Sequence, residues 1–349
     1  MGNIQFISFK RKSKFISPLK NFQEDVHLLE HRQDPLMSTM SILGYNLADK
    51  VKMLFGDTDY DLIEQVAQES KPRCFMCPKN VNTTTPKYSS DILPQERVTV
   101  GEATLFPNLF PLSEFHAVCA LTHTHYLNLR DFSPEILANG IQTCLKFVKS
   151  AFNANSSAKY MTINCNYLFP AGASVVHPHM QVLGGDVPYT YLKNMLEGSL
   201  QYFEKNQSNF WNDLISVEKK ARERYIGKTG EIEWIATFSP LGNNEVQGII
   251  REKSNFLGLS PSEVKALGEG ISKILKFYEE EGYSTFNFVI YSGPMGETAD
   301  WFWSNIRIIS RANVYKNYRT DDYFLQKLLG TEIIVTPPEE LADKLKAKF

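Results

Sequence analysis

The chain is short of several things at once. It has no run of about 18 apolar residues, which argues against a membrane-spanning helix, and residues 1–22 lack the apolar core of a signal peptide, so a cytoplasmic protein without a membrane partner is expected. Met1-Gly2 opens like a myristoylation signal, but Phe6 stands where Ser or Thr is required. Five cysteines in 349 residues, an odd number without a framework spacing, exclude a disulfide scaffold and leave free thiols or metal ligands. Net charge is equally scarce. A formal charge of -2 leaves no global field for a polyanion, so nucleic acid is not expected as a partner, whereas a small anion needs only a local site. Finally, no histidine follows position 179: all seven lie at or before it, so any imidazole chemistry belongs to the first half of the chain.

What is present is an ordinary globular composition, with 43% hydrophobic and 22% charged residues, long enough for one large core or two smaller ones. Residues 1–22 carry Lys10, Arg11, Lys12, Lys14 and Lys20 without helical or strand periodicity and read as an extended arm. Turn-punctuated strands follow from Leu105, with the segments 105–111 and 115–121. Ser133 as N-cap, Pro134 at the first helical position and apolar residues recurring from Ile136 to Phe152 predict a helix, and a strand is expected over 160–166.

About 125 residues later the same order returns. Strand-like segments 233–238 and 245–251 precede the capping box Ser260-Pro261-Ser262-Glu263, which opens a second helix, and segments 286–291 and 303–309 close the copy. In this superposition His177 falls opposite Trp301, His179 opposite Trp303 and Gln181 opposite Asn305, so the second copy lacks the histidines. Residues 189–221 between the copies read as helical.

Two segments carry chemistry. Cys74-Phe75-Met76-Cys77 has the spacing at which two thiolates turn onto one zinc ion, which needs two more ligands. His125 and His177 are the candidates, with His123 competing for the place of His125; a pair of buried thiols is the bland alternative. The segment from Gly172 to Val182 alternates like a strand, so His177, His179 and Gln181 should project to one face. A neutral imidazole in that row can attack phosphorus if its other nitrogen donates to a fixed acceptor, and His179 sits in the middle. Gln181 and Ser174 can donate to phosphate oxygens.

These residues resemble the galactose-1-phosphate uridylyltransferase family, a branch of the histidine-triad superfamily. Besides His177-Pro178-His179-Met180-Gln181, the similarity rests on His31-Arg32-Gln33-Asp34-Pro35-Leu36, on Cys74 to Asn80, on Phe106-Pro107-Asn108-Leu109-Phe110-Pro111 and on the duplicated layout. The resemblance implies an α+β fold of two tandem histidine-triad-like half-domains, each with a mainly antiparallel sheet and flanking helices: an arm over 1–22, a first half over 23–190 and a degenerate second half over 191–349. It implies a structural zinc held by Cys74, Cys77, His125 and His177, and His179 as nucleophile. Gln181 would hold the transferred phosphoryl group, Asn166 and Ser174 the phosphates, Asn108 the nucleoside and Glu332 the sugar. The implied substrates are a nucleoside diphosphate sugar with a sugar 1-phosphate as acceptor, and the implied assembly is a homodimer.

The chain also departs from the family. Its paired arginines correspond to Leu47 and Lys50, with Lys52 or Arg73 as replacements, and Trp301 and Trp303 occupy the His-x-His of a second metal site. A phosphorylase using inorganic phosphate, such as one acting on ADP-glucose, and a silent nucleotide-binding protein are the competing expectations.

Overall fold

In the computed structural model, residues 4–45, 47 and 55–349 are described. Met1, Gly2, Lys50 and Lys52 lie outside them. The strands are β1 Ile7–Ser17, β2 Gln23–Gln33, β3 Met40–Gly44, β4 Val98–Val100, β5 Ala103–Pro107, β6 Phe115–Ala120 and β7 Tyr160–Tyr167. They continue with β8 His179–Gly185, β9 Tyr225–Thr229, β10 Ile232–Ala236, β11 Val246–Ile250, β12 Phe286–Tyr291, β13 Asn305–Ser310 and β14 Thr331–Ile334.

Ten of them form one sheet in the order β4-β5-β6-β8-β7-β12-β13-β11-β10-β9. Counted outward from the seam between β7 and β12, the two wings repeat one connectivity. The seam is an antiparallel ladder from Phe286 opposite Tyr167 to Tyr291 opposite Thr162. Opposed residues in antiparallel strands share a face, so the registers divide the first wing cleanly. Ala117, Cys119, Ile163, Cys165, Met180 and Val182 belong to the buried core on one face, which also takes in residues of the helix Pro134–Ala154. The other face carries His116, Asn164, Asn166, His179 and Gln181.

The helix Pro134–Ala154 begins where its cap predicts, with Ser133 Oγ accepting from the Ile136 amide at 3.2 Å. Its counterpart Pro261–Glu280 has the reciprocal capping box, the Ser260 amide donating to Glu263 Oε2 at 2.7 Å. The two helices touch at Gly268, where a Cβ would lie 2.5 Å from the Pro134 carbonyl oxygen. The fold is thus α+β, with antiparallel sheet and flanking helices.

Several boundaries differ from the sequence-based expectations. Residues 7–17 of the expected arm are extended but hydrogen-bonded along β2, within a second sheet ordered β1-β2-β3-β14. No periodicity announced β1 because neither of its faces is buried before Ser17. Residues 189–221 form two helices, Thr190–Asn206 and Phe210–Ala221, since Gln207 turns left-handed at φ 51° and Asn209 recaps the chain. β8 begins at His179 rather than upstream. Gly172 is left-handed at φ 87°, and Pro178 has no amide hydrogen, so the first rung pairs His179 with Ala120. His177 therefore lies in the turn before the strand.

The segment His31 to Leu36 ends β2 and turns into the protein. Arg32 is buried against Glu30 at 2.8 Å and Glu339 at 2.9 Å. Asp34 accepts from the Leu36 and Met37 amides and faces Arg307 at 3.5 Å.

Candidate metal centre and active site

Cys74 follows the short 3-10 turn Lys71–Arg73, and Cys77 caps the helix Pro78–Thr84, whose Pro78 suits the first turn. Asn80 Nδ2 donates to the Cys74 carbonyl at 2.8 Å, closing the knuckle. Two other segments reach this point, so that the ligand atoms of Cys74, Cys77, His125 and His177 all lie within 4.8 Å of one another. The spacing tests the fit to zinc. His177 Nδ1 is 3.5 Å from Cys74 Sγ and 3.6 Å from Cys77 Sγ, and His125 Nδ1 is 3.5 Å from Cys77 Sγ. Zinc–sulfur bonds of about 2.3 Å and zinc–nitrogen bonds of about 2.0 Å, at tetrahedral angles, put sulfur and nitrogen roughly 3.5 Å apart. His123 is not in the cluster; its side chain is 58% exposed beside Glu102.

The chemistry of the four groups agrees. Burial, then the neighbouring Cys74, pushes the Cys77 thiol up to about 11, a penalty that a divalent cation between the sulfurs would reverse. Burial holds His177 down to about 4 and lowers His125, keeping both imidazoles neutral as ligands must be. Each outer nitrogen is anchored. His177 Nε2 donates to the Thr122 carbonyl at 2.8 Å, and His125 Nε2 donates to Ser70 Oγ at 2.9 Å, whose own proton goes to the Val66 carbonyl. The sequence reading missed Ser70 and Thr122. The cluster can therefore hold a metal ion.

His179 is tied to this centre through the backbone. Its Nδ1 donates to the His177 carbonyl at 2.9 Å, which assigns the proton to Nδ1 and leaves the Nε2 lone pair free. The ring is 5% exposed, and burial lowers its proton affinity. Nε2 has no hydrogen-bond partner among the described residues.

Gln181 and Asn166 share the sheet face of His179. Gln181 Oε1 is 2.8 Å from His116 Nε2, and Asn108 Nδ2 is 3.1 Å from the same nitrogen. Asn166 Oδ1 accepts from Asn287 Nδ2 at 2.7 Å across the seam, and Asn287 in turn accepts from Arg311, which pairs with Asp321. Ser174 is exposed on the turn after Gly172. Glu332 is not joined to His179; it lies in a cleft of about 330 Å³ lined by Tyr191, Arg311 and Asp321. Of the suggested arginine replacements, Arg73 is exposed; Leu47, which stands where the family has one of its arginines, packs against the core. His116, Asn287 and Arg311 were not singled out in the sequence, where His116 and Asn287 are isolated in apolar and aromatic strands and Arg311 follows the end of β13.

No family model matches the chain. An uncharacterized protein of Archaeoglobus fulgidus is 29% identical over 340 residues, covering 97% of this chain and 98% of that one. Galactose-1-phosphate uridylyltransferase of Schizosaccharomyces pombe is 24% identical over 181 residues, covering 44% of this chain and 49% of the enzyme. ADP-glucose phosphorylase of Arabidopsis thaliana is 23% identical over 246 residues, covering 66% and 64%. A crystal structure of an Arabidopsis thaliana ADP-glucose phosphorylase with bound ADP-glucose superposes with a TM-score of 0.70, over 91% of this chain and 98% of its own, at 18% identity. The chain thus matches about half the length of the first enzyme and just under two thirds of the second. In sequence the chain is similar to galactose-1-phosphate uridylyltransferase and to ADP-glucose phosphorylase, and it shares the fold of the latter.

Proposed function

We propose that the chain is a nucleotidyltransferase that works by double displacement through a nucleotidyl-histidine at His179. The observation that carries this reading is the tautomer of the buried ring: Nδ1–H is given to the His177 carbonyl, so Nε2 is the nitrogen that keeps its lone pair. Nε2 attacks the α-phosphorus of a nucleoside diphosphate sugar. The bond from that phosphorus to the bridging oxygen breaks, and a sugar 1-phosphate leaves. A phosphate-bearing acceptor then attacks the adduct and restores the imidazole, with overall retention at phosphorus. Gln181 donates an amide hydrogen to a non-bridging oxygen and, having no titratable proton, does not promote attack by water. Asn166 and Ser174 hold the phosphates, Asn108 the nucleoside and Glu332 the sugar. Zinc at Cys74, Cys77, His125 and His177 would be structural, since four protein ligands complete its shell. A homodimer belongs to the same proposal, tested by sedimentation.

The acceptor divides the reading in two. A hexose 1-phosphate makes the protein a uridylyltransferase of the UDP-glucose type. Inorganic phosphate makes it a phosphorylase, a reading favoured by the near-full-length likeness to the ADP-glucose phosphorylase structure. Incubation with α-labelled UDP-glucose and ADP-glucose should leave acid-labile, base-stable label on the protein and none on the His179→Ala variant. Glucose 1-phosphate, galactose 1-phosphate and phosphate, added separately, then identify the acceptor by discharging it. Label persisting in the variant removes His179 as nucleophile, and no adduct with either donor favours a silent binding protein.

A further inference from the structure

His116 has no part in the reading above, yet it is buried on the same sheet face as His179 and Gln181. The register explains its reach. Val118 is the residue opposite Gln181, which puts His116 one diagonal step away, a separation that an imidazole and a carboxamide together can span. The ring is held from both sides. Its Nδ1 accepts the Leu112 amide at 3.0 Å, so in the neutral ring the proton must sit on Nε2, where it is donated to Gln181 Oε1 at 2.8 Å. The backbone is pinned as well: the His116 carbonyl accepts from the Asn108 amide at 2.9 Å and from the Tyr88 hydroxyl at 3.0 Å.

One consequence is a choice of carboxamide orientation. Turned over, Gln181 would present NH2 to an N–H, donor against donor. Held as it is, its NH2 has no partner among the described residues and is the edge turned away from the imidazole.

Resting on the proposed chemistry at His179, we infer that His116 is a positioning residue, which fixes the Gln181 carboxamide so that its NH2 is the edge offered to the phosphoryl group in transfer. Its influence runs through Gln181 and not through substrate. Burial lowers the proton affinity of the ring, which keeps it in the neutral form this hydrogen bond requires. The same residue ties β8 to the turn that carries Asn108 through its carbonyl, which accepts the Asn108 amide at 2.9 Å, so the proposed nucleoside and phosphoryl contacts share one support.

The test is a double-mutant cycle on the zinc-loaded full chain, following single-turnover adduct formation from α-labelled UDP-glucose and ADP-glucose. His116→Ala should slow adduct formation roughly ten- to hundredfold, somewhat less than loss of a direct oxyanion donor. The donor concentration for half-maximal rate should move by less than about threefold. Gln181→Ala combined with His116→Ala should be no slower than Gln181→Ala alone. His116→Gln, which can still donate to Oε1, should recover most of the rate. Multiplying losses in the double variant, or an effect on half-saturation alone, would overturn the assignment. Nitrogen NMR of the imidazoles decides the point independently of turnover. His116 should carry its proton on Nε2 and shift on Gln181→Ala; a proton on Nδ1, or no shift, refutes it. A wild type that forms no adduct sinks the covalent reading instead, and the NMR result still rules on His116.

Discussion

Ser70 receives the outer nitrogen of His125, so its loss should act on the metal and not on the nucleophile. Ser70→Ala is expected to weaken zinc binding roughly ten- to hundredfold, read by competition with a chromogenic chelator, while adduct chemistry persists at saturating zinc. Unchanged affinity would mean that the hydroxyl does not orient the ring. Glu332 offers a pH test. Burial raises its carboxyl to about 7, against which Gln326 donates a weaker compensating hydrogen bond. The folded value thus lies above the unfolded one of about 4.3. The contribution is fully present below the unfolded value and is lost as pH rises through about 7. Glu332→Gln should therefore leave the melting temperature at pH 4 nearly unchanged and raise it relative to wild type at pH 8; a constant difference across that range would contradict it. At this scale the sequence was informative wherever the chemistry rests on spacing, as for Cys74 with Cys77 and His177 with His179. It was silent on Ser70, His116 and Arg311. Their roles are hydrogen bonds between elements far apart in the chain, and no local pattern encodes those.

Among the elements, the contact between the two long helices is exacting. A methyl group at Gly268 would meet main chain, 2.5 Å from the Pro134 oxygen and 3.1 Å from the Ala138 nitrogen, and main chain cannot rotate aside. Gly268→Ala is expected to cost about 1–3 kcal/mol in denaturant unfolding, outweighing the gain in helix propensity. Gly140 meets only the movable Leu121 Cδ2 and Met180 side chain, so the same change there should cost less. Both helices were legible because capping and periodicity coincide in a short window. The sheet β1-β2-β3-β14 was not. Its outermost strand buries almost nothing, and its parallel pairing joins Thr331 to Met40 across most of the chain.

Across the whole molecule, the metal cluster ties together three stretches: Cys74 to Cys77, the loop bearing His125 and the turn bearing His177. Removal of zinc by chelation should lower the melting temperature and increase amide exchange in these segments, with the β12–β13 ladder keeping its protection. Uniform loosening of both wings would show that the metal acts globally. Adduct formation should fall along with it, since β8 starts two residues after a ligand.

The seam has a different bearing on how substrate gets in. Main-chain hydrogen bonds run from Phe286 to Tyr291 against β7, so the wings are welded edge to edge and cannot swing apart like the jaws of a clam. The apolar tip Leu109, Phe110 and Leu112, exposed by 70%, 78% and 75%, stands beside Asn108, so this is the segment nearest the proposed nucleoside contact that is left free to move.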